Sequence, residues 1–209
     1  GGTVGFSVTA TDVDGEIIAT DYQWQSSEDN SNWNDIADAN SASYAIPSDQ
    51  TLVDKYLQAI VTTTDARGGS TEAISSFGQV ANVNDAPSEF IVTIDGAVQE
   101  ESVLTAVASV TSDDDGLPDP LTFTYQWQVS DDGSAWTDID GANSEQFTPD
   151  DSEASRYLRV EASYLDSKGT VEVTQSTANV VTAVNDTAAG TARFISQEAK
   201  SSATLEFQV

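Results

Sequence analysis

The chain has 209 residues, of which 35 are Asp or Glu and only 7 are Lys or Arg, for a formal net charge of −28. A field of that sign repels phosphate backbones and anionic membrane surfaces while it gathers cations, divalent ones above all, so nucleic acid and membrane insertion drop out as partners. Cys and His are both absent, which removes disulfides, thiol chemistry, the usual zinc and copper ligands and the usual base of a serine nucleophile; the oxygen ligands that remain suit hard cations.

With 38% hydrophobic and 20% charged residues the sequence is globular, and its length allows one large domain or two of ordinary size. No apolar run approaches the roughly 20 residues that span a bilayer, and no signal peptide is visible. The Gly-Gly start without Met reads as a processed product or a piece of something longer.

Taken in order, the first half runs from DVDG (12–15) through DYQWQ (21–25), the acidic SSEDNSNW (26–33), DQTLVDKY (49–56) and KYLQAIVTTTDARGG (55–69) to VANVND (80–85). The second half repeats it. Tyr22, Trp24, Trp33, Ile36, Asn40 and Tyr44 match Tyr125, Trp127, Trp136, Ile139, Asn143 and Phe147 at a constant offset. After a slip of two residues, RYLRVEASYLDSKGT (156–170) and VTAVND (181–186) match the later blocks, and DDDG (113–116) falls over DVDG.

Apolar residues alternate with period two, as in Val103–Ala108 and Leu121–Gln128, and no stretch sustains helical spacing. Short strands bounded by Asp, Gly, Asn and Ser turns, in units of about a hundred residues, predict an all-β protein: two tandem immunoglobulin-like antiparallel β-sandwiches in an elongated rod. The expected division is domain 1 over 1–85, domain 2 over 86–186, and 187–209 as strand material of a following or neighbouring domain. Trp24 and Trp127, each on a strand whose alternate positions are Gln, are expected in the two cores. Leu57, Ala59 and Val61, with Leu158, Val160 and Ala162, should point inward. Tyr56 and Tyr157 follow acid-bearing turns, as in a tyrosine corner.

The string DDDGLPDP, LTFTYQWQ, SDDG, W, DI and GA, followed by RYL, LDSKG and VND, resembles the immunoglobulin-like repeats of very large bacterial secreted adhesins of the RTX and biofilm-associated type. It covers both copies. Val-Asn-Asp-Ala-Pro (83–87) is also similar to the linker of cadherin-like arrays, although the Asp-Arg-Glu of cadherins is absent. The resemblance implies a non-catalytic spacer on the bacterial surface that carries a binding tip away from the cell.

In such a sandwich the loop holding Asp113, Asp114 and Asp115 and the loop holding Asp166 lie at the end where the chain enters with Asn84 and Asp85. Oxygen-bearing residues from three segments then converge on the junction of domains 1 and 2, as a calcium site of six to eight oxygens requires. The equivalent set in domain 1 is Asp12, Asp14 and Asp65, and Asn185 with Asp186 would serve a next domain. The competing reading is that these acids only make turns.

SSEDNSNW and SDDGSAW (130–136) read as hairpin turns first. Trp33 and Trp136 after them could stack on sugars or cover the sandwich edge, which keeps a carbohydrate- or protein-binding module as the rival function. No acid is set among apolar and aromatic residues that would raise its pKa, so glycoside hydrolysis, and enzymatic activity in general, is not expected.

Domain 1 has fewer residues ahead of Asp12 than domain 2 has between Asp85 and Asp113, and Ala203–Val209 alternates like a strand. Either the chain is a window cut out of phase from a longer array, or the tail of one molecule completes the open sandwich of the next, polymerising by strand addition into a surface filament.

Overall fold

The computed structural model describes residues 2–13 and 15–185, and every regular element in them is a β-strand. The first repeat contains β1 (Thr3–Gly5), β2 (Ile17–Ser27), β3 (Asn34–Asp35), β4 (Ser43–Ala45), β5 (Tyr56–Asp65) and β6 (Ser70–Gln79). The second contains β7 (Ile91–Asp95), β8 (Leu104–Ser109), β9 (Thr124–Ser130), β10 (Thr137–Asp138), β11 (Gln146–Phe147), β12 (Tyr157–Leu165), β13 (Val171–Gln175) and β14 (Asn179–Val180).

Each repeat forms two antiparallel sheets. In the first, β3-β2-β5-β6 faces the pair β1-β4; in the second, β10-β9-β12-β13, with β14 on β12, faces β11-β8-β7. The layers meet through one indole per repeat. Trp24, on β2, packs its ring 5.6 Å from Tyr44 on β4 and 4.9 Å from Phe77 on β6. Trp127, on β9, stacks 5.3 Å from Phe147 on β11. Both indoles are fully buried, and a buried N–H must find an acceptor. Trp24 Nε1 donates to the Ser41 carbonyl at 2.8 Å, and Trp127 Nε1 to the Ser144 carbonyl at 3.0 Å. The Gln before each Trp repeats as well: Gln23 Nε2 donates to the carbonyls of Trp24 and Ile36, Gln126 Nε2 to those of Trp127 and Ile139. The duplication read in the sequence is thus a duplication of hydrogen bonds. Leu57, Ala59 and Val61, with Leu158, Val160 and Ala162, are all buried on alternate positions of β5 and β12, and the two indoles are core residues as the alternation predicts.

Two expectations need correction. β5 and β12 do open at Tyr56 and Tyr157, but neither hydroxyl forms the backbone hydrogen bond of a tyrosine corner among the described residues. Instead the Tyr157 ring lies over Gly133, whose absent Cβ would sit 3.6 Å from it, in a turn that needs the positive φ of 72°. The alternation of Leu121–Gln128 becomes strand only from Thr124, because Pro120 cannot donate to a ladder and Phe123 is drawn into an aromatic cluster described below.

By internal contacts the described chain separates into two compact units: residues up to Val92 with Ala108–Thr124 and Ala162–Thr174, and Thr93–Val107 with Tyr125–Glu161 and residues 175–185. The strand expected over Ala203–Val209 lies outside the described residues.

Candidate metal centre

The loop after β8 and the turn after β12 are built by backbone chemistry that any Asp-Gly-rich segment favours. Asp113 Oδ1 accepts the Asp115 N–H at 2.9 Å, and the Asp113 carbonyl accepts the Gly116 N–H at 3.0 Å, closing a tight loop. Gly116 holds φ of 91°, and a Cβ there would press on Ser167 at 3.1 Å. Its carbonyl accepts the Ser167 N–H at 2.9 Å, so the loop is drawn against the turn that carries Asp166.

Asp166 Oδ1 accepts the N–H groups of Lys168 and Thr170, both at 2.8 Å. Its other oxygen is different: Asp166 is 4% exposed, and Oδ2 is buried without a hydrogen-bond partner. Asp113, Asp166 and Glu172 each present a carboxylate oxygen, and the three oxygens lie within 4.8 Å of one another. Among the described residues this is the group of acidic side chains with metal-binding spacing. Two full negative charges about 4 Å apart repel by roughly 1 kcal/mol in water and about 4 kcal/mol at a partly screened surface. The Lys168 ammonium pairs with Asp54 at 2.5 Å.

Neighbours orient the acids. The Tyr164 O–H donates to Asp113 Oδ2 at 2.5 Å, and the phenol, 2% exposed, has its pKa raised well above the usual value, first by burial and then by that hydrogen bond. Its ring meets Phe90 edge-on at 5.0 Å, and Phe90 stacks on Phe123 at 5.8 Å, an apolar wall behind the carboxylates. Asn84 Nδ2 donates to Glu172 Oε1 at 2.7 Å. Asp115, 2% exposed, accepts the Asp85 N–H at 2.7 Å through Oδ2, while Gln50 Nε2 bridges Asp115 Oδ1 and Asp85 Oδ2. Three segments therefore do meet here: 84–85, 113–115 and 166–172, all within the first compact unit.

Of the remaining sequence candidates, Asp114, Asp12 and Asn185 are exposed, and Asp14 and Asp186 lie outside the described residues. Asp65 is buried, with Oδ1 accepting the N–H groups of Arg67 and Gly69, the turn geometry of Asp166 over again. Glu172 is the member that sequence reasoning missed. Its signal was an inverted alternation: on β13 the flanking Val171 and Val173 are exposed while Glu172 is half-buried.

The acidic hairpin segments are turns. Asp29 accepts the N–H groups of Ser31 and Asn32, and Asp132 those of Ser134 and Ala135; these bonds hold both carboxyls below the usual range. The half-buried Trp136 has the Arg159 guanidinium over its ring at 4.2 Å, the position a stacking sugar would need.

The architecture defines a tandem all-β repeat protein with an acidic, oxygen-only centre. The chain belongs to a family described as a domain of unknown function (DUF8696), which it matches twice, over residues 2–83 and 95–186. No curated protein matches it. Among solved structures it is similar to a Ca2+-stabilized adhesin that helps an Antarctic bacterium reach out and bind ice, at 19% identity over 91% of this chain and 46% of that one, with a TM-score of 0.34. It is also similar to a tetra-tandem repeat from the extending region of a large adhesion protein, at 17% identity over 78% of this chain and 42% of that one, with a TM-score of 0.25. The chain spans less than half the length of either.

Proposed function

We propose that this chain is a non-enzymatic structural module of a bacterial surface adhesin, working outside the cell, whose segments 84–85, 113–115 and 166–172 are tied together by Ca2+. The repeats, 1–85 and 86–186, are its structural units in this reading. The observation that carries the cation is Asp166: its Oδ2 is buried with no hydrogen-bond partner, and its carboxylate lies within 4.8 Å of those of Asp113 and Glu172. Leaving such an oxygen unpaired is costly, and a divalent cation satisfies it while cancelling the repulsion. Asp113, Asp166 and Glu172 would supply carboxylate ligands, with Asn84 and Asp85 adjacent. Hard oxygen donors on flexible loops suit Ca2+ better than Mg2+, which demands a tighter octahedron. The adhesin role draws support from the sequence resemblance and from the large aromatics being spent on packing.

The test is thermal unfolding with CaCl2 and with chelator. At a hundredfold excess over Kd, binding to the folded state alone adds about 2.7 kcal/mol. Wild type should melt several degrees higher in Ca2+, and Asp166→Asn, which keeps Oδ1 as an acceptor, should lose that rise. Equal melting in Ca2+ and chelator would refute the cation reading.

A further inference from the structure

Asp49 and Asp150 open the same loop in the two repeats. Asp49 Oδ1 accepts the N–H and the hydroxyl of Thr51, and Asp150 Oδ1 those of Ser152, each ahead of the strand that starts at Tyr56 or Tyr157. The residue between differs. The second repeat has Asp151, exposed to water; the first has Gln50, half-buried and at φ of 61°, a left-handed backbone that residues with a side chain seldom take.

From there the Gln50 side chain meets two carboxylates. Its Nε2 carries two N–H donors and lies 2.8 Å from Asp85 Oδ2 and 3.0 Å from Asp115 Oδ1, one proton for each. Its Oε1 is buried without a hydrogen-bond partner among the described residues, so the two carboxylates set which way the amide faces. Turned over, the amide would bring an oxygen against two carboxylate oxygens. Asp115 is 2% exposed, and a carboxylate at that depth needs donors. Among the described residues no ammonium or guanidinium pairs with Asp85 or Asp115; the ion pairs go to Glu28, Asp131 and Asp54.

The contact leads into the carboxylate group. Asp115 N–H donates to Asp113 Oδ1 at 2.9 Å, so whatever holds the Asp115 side chain also sets the backbone on which Asp113 hangs. Gln50, Asp85, Asp113 and Asp115 all lie in the first compact unit.

We propose that the Gln50 amide stands in for a cation between Asp85 and Asp115 and is a positioning residue for the ion held by Asp113, Asp166 and Glu172, not one of its ligands. A neutral donor holds the loop with or without Ca2+, where an acid such as Asp151 would need an ion to face the same two carboxylates. The effect on Ca2+ rests on the proposed function; the clasp does not.

Three unbranched replacements keep the backbone strain common and change only the head group; melting in chelator and Ca2+ affinity by calorimetric titration read the outcome. Gln50→Lys, whose ammonium donates to both carboxylates as the amide does, should melt in chelator no lower than wild type and keep Kd within about twofold. Gln50→Leu should melt lower and weaken Ca2+ by about fivefold or more. Gln50→Glu should melt lowest in chelator and gain more from Ca2+ than wild type gains. Asp151→Asn makes the same one-unit change of charge as Gln50→Lys at the exposed counterpart, and should follow wild type in both measurements.

A Gln50→Lys chain that weakens Ca2+ about fivefold, whether or not Gln50→Leu folds, would make the amide oxygen a ligand and overturn the proposal. So would a Gln50→Leu chain of wild-type affinity, or a Gln50→Glu chain that gains no more from Ca2+ than wild type. Should wild type bind no Ca2+, the proposed function fails while the chelator melts still decide the clasp: Gln50→Lys at wild type with Gln50→Leu below it upholds the clasp, and equal melting of all the variants overturns it.

Discussion

Asp65 closes β5 and Asp166 directly follows its counterpart β12, and each lays Oδ1 on two backbone N–H groups of the turn there. Among the described residues, only Asp166 stands in a group of three carboxylates with metal-binding spacing. Where the second repeat has Glu172, the first has Thr71, and where it has Tyr164 bracing Asp113, the first has Thr63. The same turn is thus a local structure in one repeat and a candidate ion site in the other. Among the described residues what separates them is not the turn motif but its surroundings, Glu172 and Tyr164 in the second repeat against Thr71 and Thr63 in the first.

The comparison can be broken at its base. If the repeats are true structural duplicates, Trp24→Ala and Trp127→Ala should be equally damaging, each costing about 3–5 kcal/mol for an emptied indole site. Denaturant unfolding followed by the remaining tryptophans measures this. A loss under 1 kcal/mol for one of them, roughly what an exposed site would give, would mean that the two cores are not alike.

A smaller effect sharpens the difference. Glu172→Thr gives the second repeat the residue of the first, and Ca2+ affinity should fall at least tenfold, about 1.4 kcal/mol. Calorimetric titration reads it directly. Asp65→Asn should leave Ca2+ affinity unchanged.

The smallest effect falls on what the repeats share. Asp29 and Asp132 are fully exposed, with folded pKa values below the ordinary carboxylate value of about 3.9. A depressed folded pKa contributes stability above the unfolded pKa, and that contribution is lost as pH falls towards the folded one. The melting difference between wild type and Asp132→Ala should therefore be full near neutrality and close on acidification below about pH 4. A gap that stays constant with pH would show that the carboxylate charge is not what holds the turn.

Much of this was readable before any coordinates. Period-two alternation placed the strands because one face of each is buried, and the Gln-Trp-Gln pattern placed the indoles because only the Trp side can be dry. Asp113, Asp115, Asp166 and Asp85 could be gathered because loop positions follow from strand order. Glu172 could not be found that way: a Glu on an edge strand normally faces water, and it turns inward here because Asn84 holds its Oε1. The Phe90–Phe123–Tyr164 wall was equally hidden, since Phe90 lies outside any strand and Phe123, though within an alternating stretch, stands just ahead of β9 rather than on it.

The account turns on whether a cation sits at Asp166. Crystals grown with Tb3+ in place of Ca2+ give an anomalous map that locates the ion. A peak about 2.3–2.6 Å from Asp166 Oδ2, with Asp113 and Glu172 oxygens at similar distance, is the expected result. A map with no peak there, or one equally strong at Asp65, would contradict it.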